Sequence, residues 1–397
     1  MLEYRYLIVG GGMTADAAVR GIREQDPRSP IGLIGEEPHP PYSRPPLSKG
    51  LWKGKPLESI WRKTPAENLT LHLGRRAISL DPEARVVADD QGETYLYERL
   101  LLATGGSPRR LPFESDAVIY YRTLDDYNRI RALTDRAQRF AVIGGGFIGS
   151  EMAAALNMIG MQVRIIFPEA GIGARVFPQD LAEFLNDYYR ERGIEVMAGQ
   201  LLGGLESRGG GVGLTLRDAV SQVEQQVEAD VLVAGLGLKP NTELASAAGL
   251  QVGDGITVDE FLRTSQPEVF AAGDVAEFES RLLGTRMRVE HEDNANTMGM
   301  IAGQNMAGAQ VAYHHQPYFY SDLFDLGYEA VGLLDPRQET VTDWQEPYHK
   351  GVVYYLGEGR VRGVLLWNVW GQVEPARRLM AEAGPWRPSD LKGRLGG

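Results

Sequence analysis

Short, almost unbroken apolar runs recur along the chain, each ending at a glycine or a polar turn. They fall at residues 6–9, 31–34, 100–103, 140–143, 163–167, 232–234 and 269–272. Continuous rather than alternating apolar character is the mark of strands buried on both faces, as in a parallel sheet covered by helices. Small-residue stretches follow two of these runs and read as helices opening near Met13 and Phe147. A third helix is predicted over residues 294–306, where Ala295, Gly299, Ala302 and Gly303 suit close packing. Residues 69–102 and 198–234 instead alternate short strands with turns, among them Asp89-Asp90-Gln91-Gly92 and a loose hairpin at residues 209–211. Residues 116–137 read as a linker and a charged helix. The last eighty residues change character again, with strand patterns at 328–333, 351–356 and 360–367, then a helix at 375–383.

Two of the apolar runs end in the same turn. Gly10, Gly12 and Ala15 fill a G-x-G-x-x-G/A pattern after the first run, and Gly144, Gly146 and Gly149 fill it after the fourth. In that pattern the first glycine permits the turn, the second lets backbone approach a pyrophosphate, and the third small residue lets helix pack on strand. The helix N-terminus then faces the phosphates. Each copy is followed by a second strand ending near an acid, Glu36 or Glu169, placed 26 and 25 residues after its first glycine. An acid there takes ribose hydroxyls. The plain alternative is two unrelated glycine turns, but the matched spacing favours two dinucleotides, with FAD in the first copy and NAD in the second.

Other residues attach to this frame. Asp274 ends the last buried run, where a carboxylate can anchor a sugar-like chain, and Thr104-Gly105 brings backbone towards the first nucleotide. Residues 232–237 repeat the strand-into-glycine theme, ending at Gly237. Residues 38–50 hold five prolines and predict a rigid extended loop that offers Arg44 and Lys49, or else only a solvated basic loop. Glu151 falls on the first turn of the second small-residue helix, where the helix dipole alone would favour a carboxylate.

Composition narrows the function. The net charge of −12, from 41 Lys+Arg against 53 Asp+Glu, argues against nucleic-acid binding. Six histidines and no cysteine predict no metal site. No apolar run approaches the roughly 20 residues of a membrane span. The first strand opens almost at Met1, leaving no room for a cleavable leader, so a cytoplasmic location is expected. A chain with no cysteine also has no disulfide or redox thiol to relay electrons, so reducing equivalents must leave a flavin directly for an external acceptor.

Over nearly its whole length the chain resembles the two-dinucleotide flavoprotein reductases, within the branch of ferredoxin, rubredoxin and dioxygenase-component reductases and apoptosis-inducing factor. The carriers are Tyr42-Ser-Arg-Pro-Pro-Leu-Ser-Lys49, the turn from Gly144 to Glu151, and Thr264-Ser-Gln-Pro-Glu-Val-Phe-Ala-Ala-Gly-Asp274. Phe167-Pro-Glu169, Arg288-Val-Glu-His-Glu-Asp-Asn-Ala295, Ser321-Asp-Leu323, Gly327-Tyr-Glu-Ala330 and Leu366-Trp-Asn368 are similar to apoptosis-inducing factor. Tyr320 stands where the family usually has Trp, Glu292 and Asn294 replace histidines of the animal pattern, and residues 332–351 are too few for its regulatory insertion.

The resemblance implies an α/β protein with two Rossmann-like domains and a C-terminal α+β domain. An FAD domain of residues 1–115 and 241–317 would be interrupted by an NAD(H) domain of 116–240 and followed by residues 318–397. It implies that Asp274 anchors the ribityl chain, Glu36 the adenosine ribose, Arg44 lies along FAD and Lys49 near the reactive flavin nitrogen. Gly10, Gly12, Met13, Thr14, Ala15, Ala103, Thr104, Gly105 and Arg109 would line FAD, together with Gly273, Glu290, Ala295 and Tyr320. Gly144, Gly146, Ile148, Gly149, Glu169 and Gly237 would line NADH. Glu151 would pair with Lys49 and orient the nicotinamide amide, Phe147 would gate the nicotinamide stack, and the helix after His291 would aim its positive end at the flavin. His291 has a second reading as a capping or packing residue. The implied activity is transfer from NADH through FAD to a small iron–sulfur or rubredoxin-like protein, or to a small-molecule acceptor, by a monomer or homodimer. The alternative is a slow NADH-binding redox sensor.

Overall fold

The structure, a computed structural model, describes residues 1–113 and 115–395. The chain gathers into two compact units. The first holds residues 1–44, 57–107 and 239–318, and the second residues 45–56, 108–238 and 319–397.

In the first unit the apolar runs become the centre of a seven-stranded sheet. Leu2–Val9 pairs in parallel with Ile31–Gly35 on one side and with Thr94–Leu102 on the other. Leu69–Leu73 extends one edge in parallel, and Val269–Ala271 joins Leu100, Leu101 and Leu102 from 169 residues downstream, also in parallel. The antiparallel hairpin of Ala77–Asp81 and Val86–Asp89 closes the other side, which explains the strand-and-turn pattern there. Leu7, Ile8, Leu100, Leu101 and Ala271 are completely buried, as two-sided coverage demands. The helix Met13–Gln25 packs on Glu292–Met306 at backbone distance: a Cβ on Gly21 would meet the Met300 carbonyl at 2.1 Å, and one on Gly303 the Ala18 carbonyl at 2.1 Å.

The second unit repeats the plan with a five-stranded parallel sheet. Its order is Glu195–Ala198, Gln162–Phe167, Arg139–Ile143, Val231–Ala234, Val118–Tyr120. Three antiparallel strands, Gln200–Arg208, Gly211–Asp218 and Glu224–Ala229, are inserted between its strands Glu195–Ala198 and Val231–Ala234. The C-terminal part is an antiparallel sheet in the order Tyr318–Leu323, Leu326–Gly332, Arg360–Trp367, Lys350–Gly357, Glu339–Glu346, with the helix Val373–Ala381.

Four local expectations are corrected. The supposed linker before the second nucleotide turn contains the edge strand Val118–Tyr120, too short to show a period. Strands Tyr318–Leu323 and Glu339–Glu346 do not stand out in the sequence, because Ser321 and Asp322 break the apolar pattern of the first and the second is mostly polar. Pro45–Leu47 coils into a single 3-10 turn rather than staying extended. Glu151 is the fifth residue of its helix, Phe147–Met158, so it has left the first turn. Among the described residues no helix is long and apolar enough to cross a membrane, and no group of three His, Cys, Asp or Glu could hold a metal ion.

Candidate functional site

Both nucleotide turns have the form the spacing predicts. Gly10 sits at φ +129°, and a Cβ there would lie 2.1 Å from the Ala103 carbonyl oxygen. Gly144, at φ +114°, would lie 2.3 Å from that of Gly235. Only glycine lets these crossings close. The helices then begin at Gly12 and Gly146, neither capped by a side chain, and a Cβ on either would meet nothing within 4 Å. Two helix N-termini with uncapped N–H groups therefore face open space, which is what a pyrophosphate needs. Asp16, in the first turn beside Met13, Thr14 and Ala15, would repel an anion. It is completely buried and bound by Arg62 at 2.6 Å, Arg20 at 3.1 Å and the Thr64 hydroxyl at 2.6 Å. Burial opposes its charge, but Arg20, Thr64 and Arg62 hold its pKa below the usual carboxylate value.

The first unit also holds the residues expected to bind the sugar chain. Gly273, at φ +77°, passes so close to Thr14 that a Cβ would meet its Oγ1 at 2.2 Å. The Gly273 N–H donates to Met298 Sδ at 3.2 Å, and the Asp274 carbonyl accepts from Arg288 Nη1 at 3.0 Å. The same guanidinium group holds Glu290 at 2.6 Å. Met298 and Arg288 thus fix the Asp274 turn, a role that no motif in the chain signals. Arg44 is ion-paired with Glu37 and donates to the Tyr42 hydroxyl at 3.1 Å. Burial disfavours its charge, but Tyr42, Glu37 and Asp274 together raise its pKa, so Arg44 and Asp274 lie within electrostatic reach of each other. Glu36 follows the strand Ile31–Gly35 and is exposed; its neighbour Glu37 is the acid that Arg44 uses. Thr104 is locked to Asn241 by reciprocal bonds of 2.8 and 2.9 Å, beside Gly105. His291 is the N-cap residue of Glu292–Met306 but makes no side-chain cap bond. Glu292 and Asp293 occupy the first turn ahead of Ala295, which weakens the positive end expected there, although Asp293 is engaged by His315 at 2.5 Å.

In the second unit the proline-rich segment delivers Lys49. Leu47 is pinned by its carbonyl, which accepts from Trp52 Nε1 at 2.6 Å and from the Tyr121 hydroxyl. Trp52 in turn packs edge-on against Tyr127 at 5.2 Å and under Arg131 at 5.5 Å. From this anchored turn Lys49 Nζ reaches Glu151 Oε1 at 2.6 Å and lies 5.3 Å from the Tyr320 ring centre. The ammonium-bearing side chain is 13% exposed and the carboxylate 2%. Ser48 and Ser321 also donate to Glu151, each at 2.5 Å. Phe147 packs against Phe319 at 5.4 Å and Tyr328 at 6.4 Å, while Ile148 is exposed. Gly149 approaches the Gly144 carbonyl, and the Gly237 carbonyl accepts from the Arg109 N–H at 2.9 Å. Glu169 lies two residues past the strand Gln162–Phe167, near its end as expected, but it is bound by Arg175 at 2.6 Å.

Comparisons with known proteins agree with this geometry. Residues 4–299 match the family described as pyridine nucleotide-disulphide oxidoreductase. Residues 302–347 and 342–382 match the C-terminal part of apoptosis-inducing factor. The chain is 34% identical to the anthranilate 1,2-dioxygenase system ferredoxin–NAD(+) reductase component of Burkholderia cepacia, over 97% of this chain and 96% of that one. It is 32% identical to mitochondrial apoptosis-inducing factor 1 of Dictyostelium discoideum, over 95% of this chain and 78% of that one. Among solved structures, the putidaredoxin reductase of a covalent complex with putidaredoxin superposes with TM-score 0.89 at 31% identity, covering 98% of this chain and 95% of that one. With two open nucleotide turns and a buried lysine–glutamate pair whose acid sits on the helix after the second, the chain belongs to the pyridine nucleotide-disulphide oxidoreductase family and is an oxidoreductase that takes FAD and NAD(H).

Proposed function

We propose that this protein is an FAD-dependent NADH reductase whose electrons go to a small iron–sulfur or rubredoxin-like protein. The observation that carries the proposal is the combination of two nucleotide turns with a complete lack of cysteine in a family whose description includes disulphide chemistry. Bound FAD supplies two-electron chemistry towards nicotinamide and one-electron chemistry towards an iron centre. The chain's own residues do the rest. Gly10, Gly12 and the helix start hold the pyrophosphate, and Asp274 and Arg44 hold the sugar and phosphate run, with Thr14 and Gly273 fixing the distance between them. Gly144, Gly146 and Gly149 do the same for NADH, and Glu169 takes its ribose. Lys49 and Glu151 orient the nicotinamide, with Phe147 covering its site and Tyr320 beside the ammonium. Positioning the bound reactant is the main catalytic contribution that residues of this kind make. The named relatives are reductases of ferredoxin and putidaredoxin, which supports a protein acceptor of that size.

The match of the C-terminal part to apoptosis-inducing factor favours a second reading, a slow NADH-binding redox sensor. One experiment separates the two. Flavin absorbance is followed after stoichiometric NADH without oxygen, and candidate acceptors are then added. Fast reoxidation by a small redox protein is the expected result. A long-lived long-wavelength band with slow reoxidation by every acceptor would overturn the reductase reading in favour of the sensor.

A further inference from the structure

The acceptor count at Glu151 assigns work to two serines. An ionised carboxylate has about four lone-pair positions, two on each oxygen, and no donor of its own. Oε1 is filled by Lys49 Nζ at 2.6 Å and Ser321 Oγ at 2.5 Å, while Oε2 receives Ser48 Oγ at 2.5 Å. One acceptor position is left over, and it is on Oε2. Ser48 is 5% exposed, Ser321 1% and Glu151 3%, so bulk water has little access to this set. The three donors come from two places in the chain: Ser48 and Lys49 from the proline-rich segment, and Ser321 from the strand Tyr318–Leu323 of the C-terminal sheet. Each hydroxyl fixes a different oxygen, so together they prevent the carboxylate from rotating about its last bond.

We propose that Ser321 and Ser48 are positioning residues that hold the Glu151 carboxylate in one orientation and keep a single Oε2 position for an N–H donor of the bound dinucleotide, the nicotinamide carboxamide. This rests on the reading that Glu151 faces the nicotinamide. It gives the C-terminal sheet a part in cofactor discrimination, since Ser321 acts through a residue of the nucleotide-binding part. Removing Ser321 frees a position on Oε1 and lets the carboxylate turn, so its preference for a ligand N–H falls while the rest of the dinucleotide is still bound.

The test uses the intact oxidised holoenzyme and two probes: NAD, and its 3-acetylpyridine analogue, in which a methyl ketone replaces the amide and no N–H remains. Affinities are read from the flavin difference spectrum, with melting temperature and FAD content as controls. The wild type should prefer NAD by about tenfold. Ser321→Ala should lower that preference to about twofold or less, Ser321→Thr should restore most of it, and Ser48→Ala should act like Ser321→Ala. Equal loss of affinity for both probes, or an unchanged preference in both alanine variants, would overturn the proposal. Glu151→Gln separates the two levels. If it loses the preference while the serine variants keep it, the serine inference alone fails. If Glu151→Gln keeps it, or the wild type has none, Glu151 does not face the carboxamide and the parent reading fails as well.

Discussion

Lys49 and Glu151 should behave as one group, and a double-mutant cycle of Lys49→Met with Glu151→Gln measures how strongly. Their charges sit 2.6 Å apart with 13% and 2% exposure, so little water is available to replace a lost partner. Removing one member of a buried pair costs about 3–5 kcal/mol, because the other charge is left uncompensated. The structure places the two single variants differently in that range. After Lys49→Met, Glu151 keeps the hydroxyls of Ser48 and Ser321, and hydrogen bonds to a charge are worth about 1.5–3 kcal/mol each, so the cost falls at the low end. After Glu151→Gln, Lys49 loses its counter-charge and keeps a neutral amide oxygen, partial exposure and the Tyr320 ring at 5.3 Å, a cation–π contact worth about 0.5–2 kcal/mol. The double variant removes both charges and leaves neither stranded. Its cost should therefore fall short of the sum of the singles by about 2 kcal/mol or more. In the rate of flavin bleaching after rapid anaerobic mixing with NADH, about 1.4 kcal/mol is a factor of ten, so coupling of at least about tenfold is expected. A thermal melt of each variant shows whether the same coupling appears in stability. Strict additivity, within about 0.5 kcal/mol in both measurements, would refute the argument that the pair is a closed unit.

Three further outcomes follow from other parts of the structure. Asp274→Ala should weaken FAD binding by about 1.5–3 kcal/mol, read from FAD release into filtrate; unchanged affinity would put the ribityl anchor elsewhere. The Glu169 carboxylate should give NADH at least a tenfold advantage over NADPH in kcat/KM, roughly 1.4 kcal/mol, and Glu169→Ala, by releasing Arg175 for a 2′-phosphate, should narrow that gap mainly by improving NADPH; equal use of both cofactors by the wild type would refute the assignment. Asp89 is buried, which opposes its charge, but Arg75, Tyr95 and backbone N–H groups hold its pKa down to about 2. A depressed carboxylate stabilises the fold above its unfolded pKa near 3.8 and loses that contribution as pH falls through about 2. The melting-temperature penalty of Asp89→Asn should therefore be full at pH 7 and shrink between about pH 4 and pH 2, and a penalty that stays constant across that range would show that the charge is not the cause.

Patterns within about thirty residues were enough to find both nucleotide units. An apolar run of four or five residues specifies a buried strand, and glycine at two fixed offsets specifies the turn, because backbone sterics at Gly10 and Gly144 act within a few bonds. The positions of Glu36 and Glu169 just past the second strands are legible for the same reason, since strand and helix lengths fix where the chain comes back. Beyond that reach the sequence offered resemblance but no geometry. Lys49 and Glu151 are 102 positions apart and Ser321 is 170 beyond Glu151, and their meeting depends on how three segments pack. Position alone named Glu36, yet folding gave the Arg44 contact to Glu37, one residue on. Folding also set Arg175 on Glu169, and Met298 and Arg288 on the Asp274 turn. Such choices rest on side-chain reach across a packed interior, where a shift of one residue in register or a few ångströms in a loop selects a different partner, and the linear chain carries no periodic trace of them.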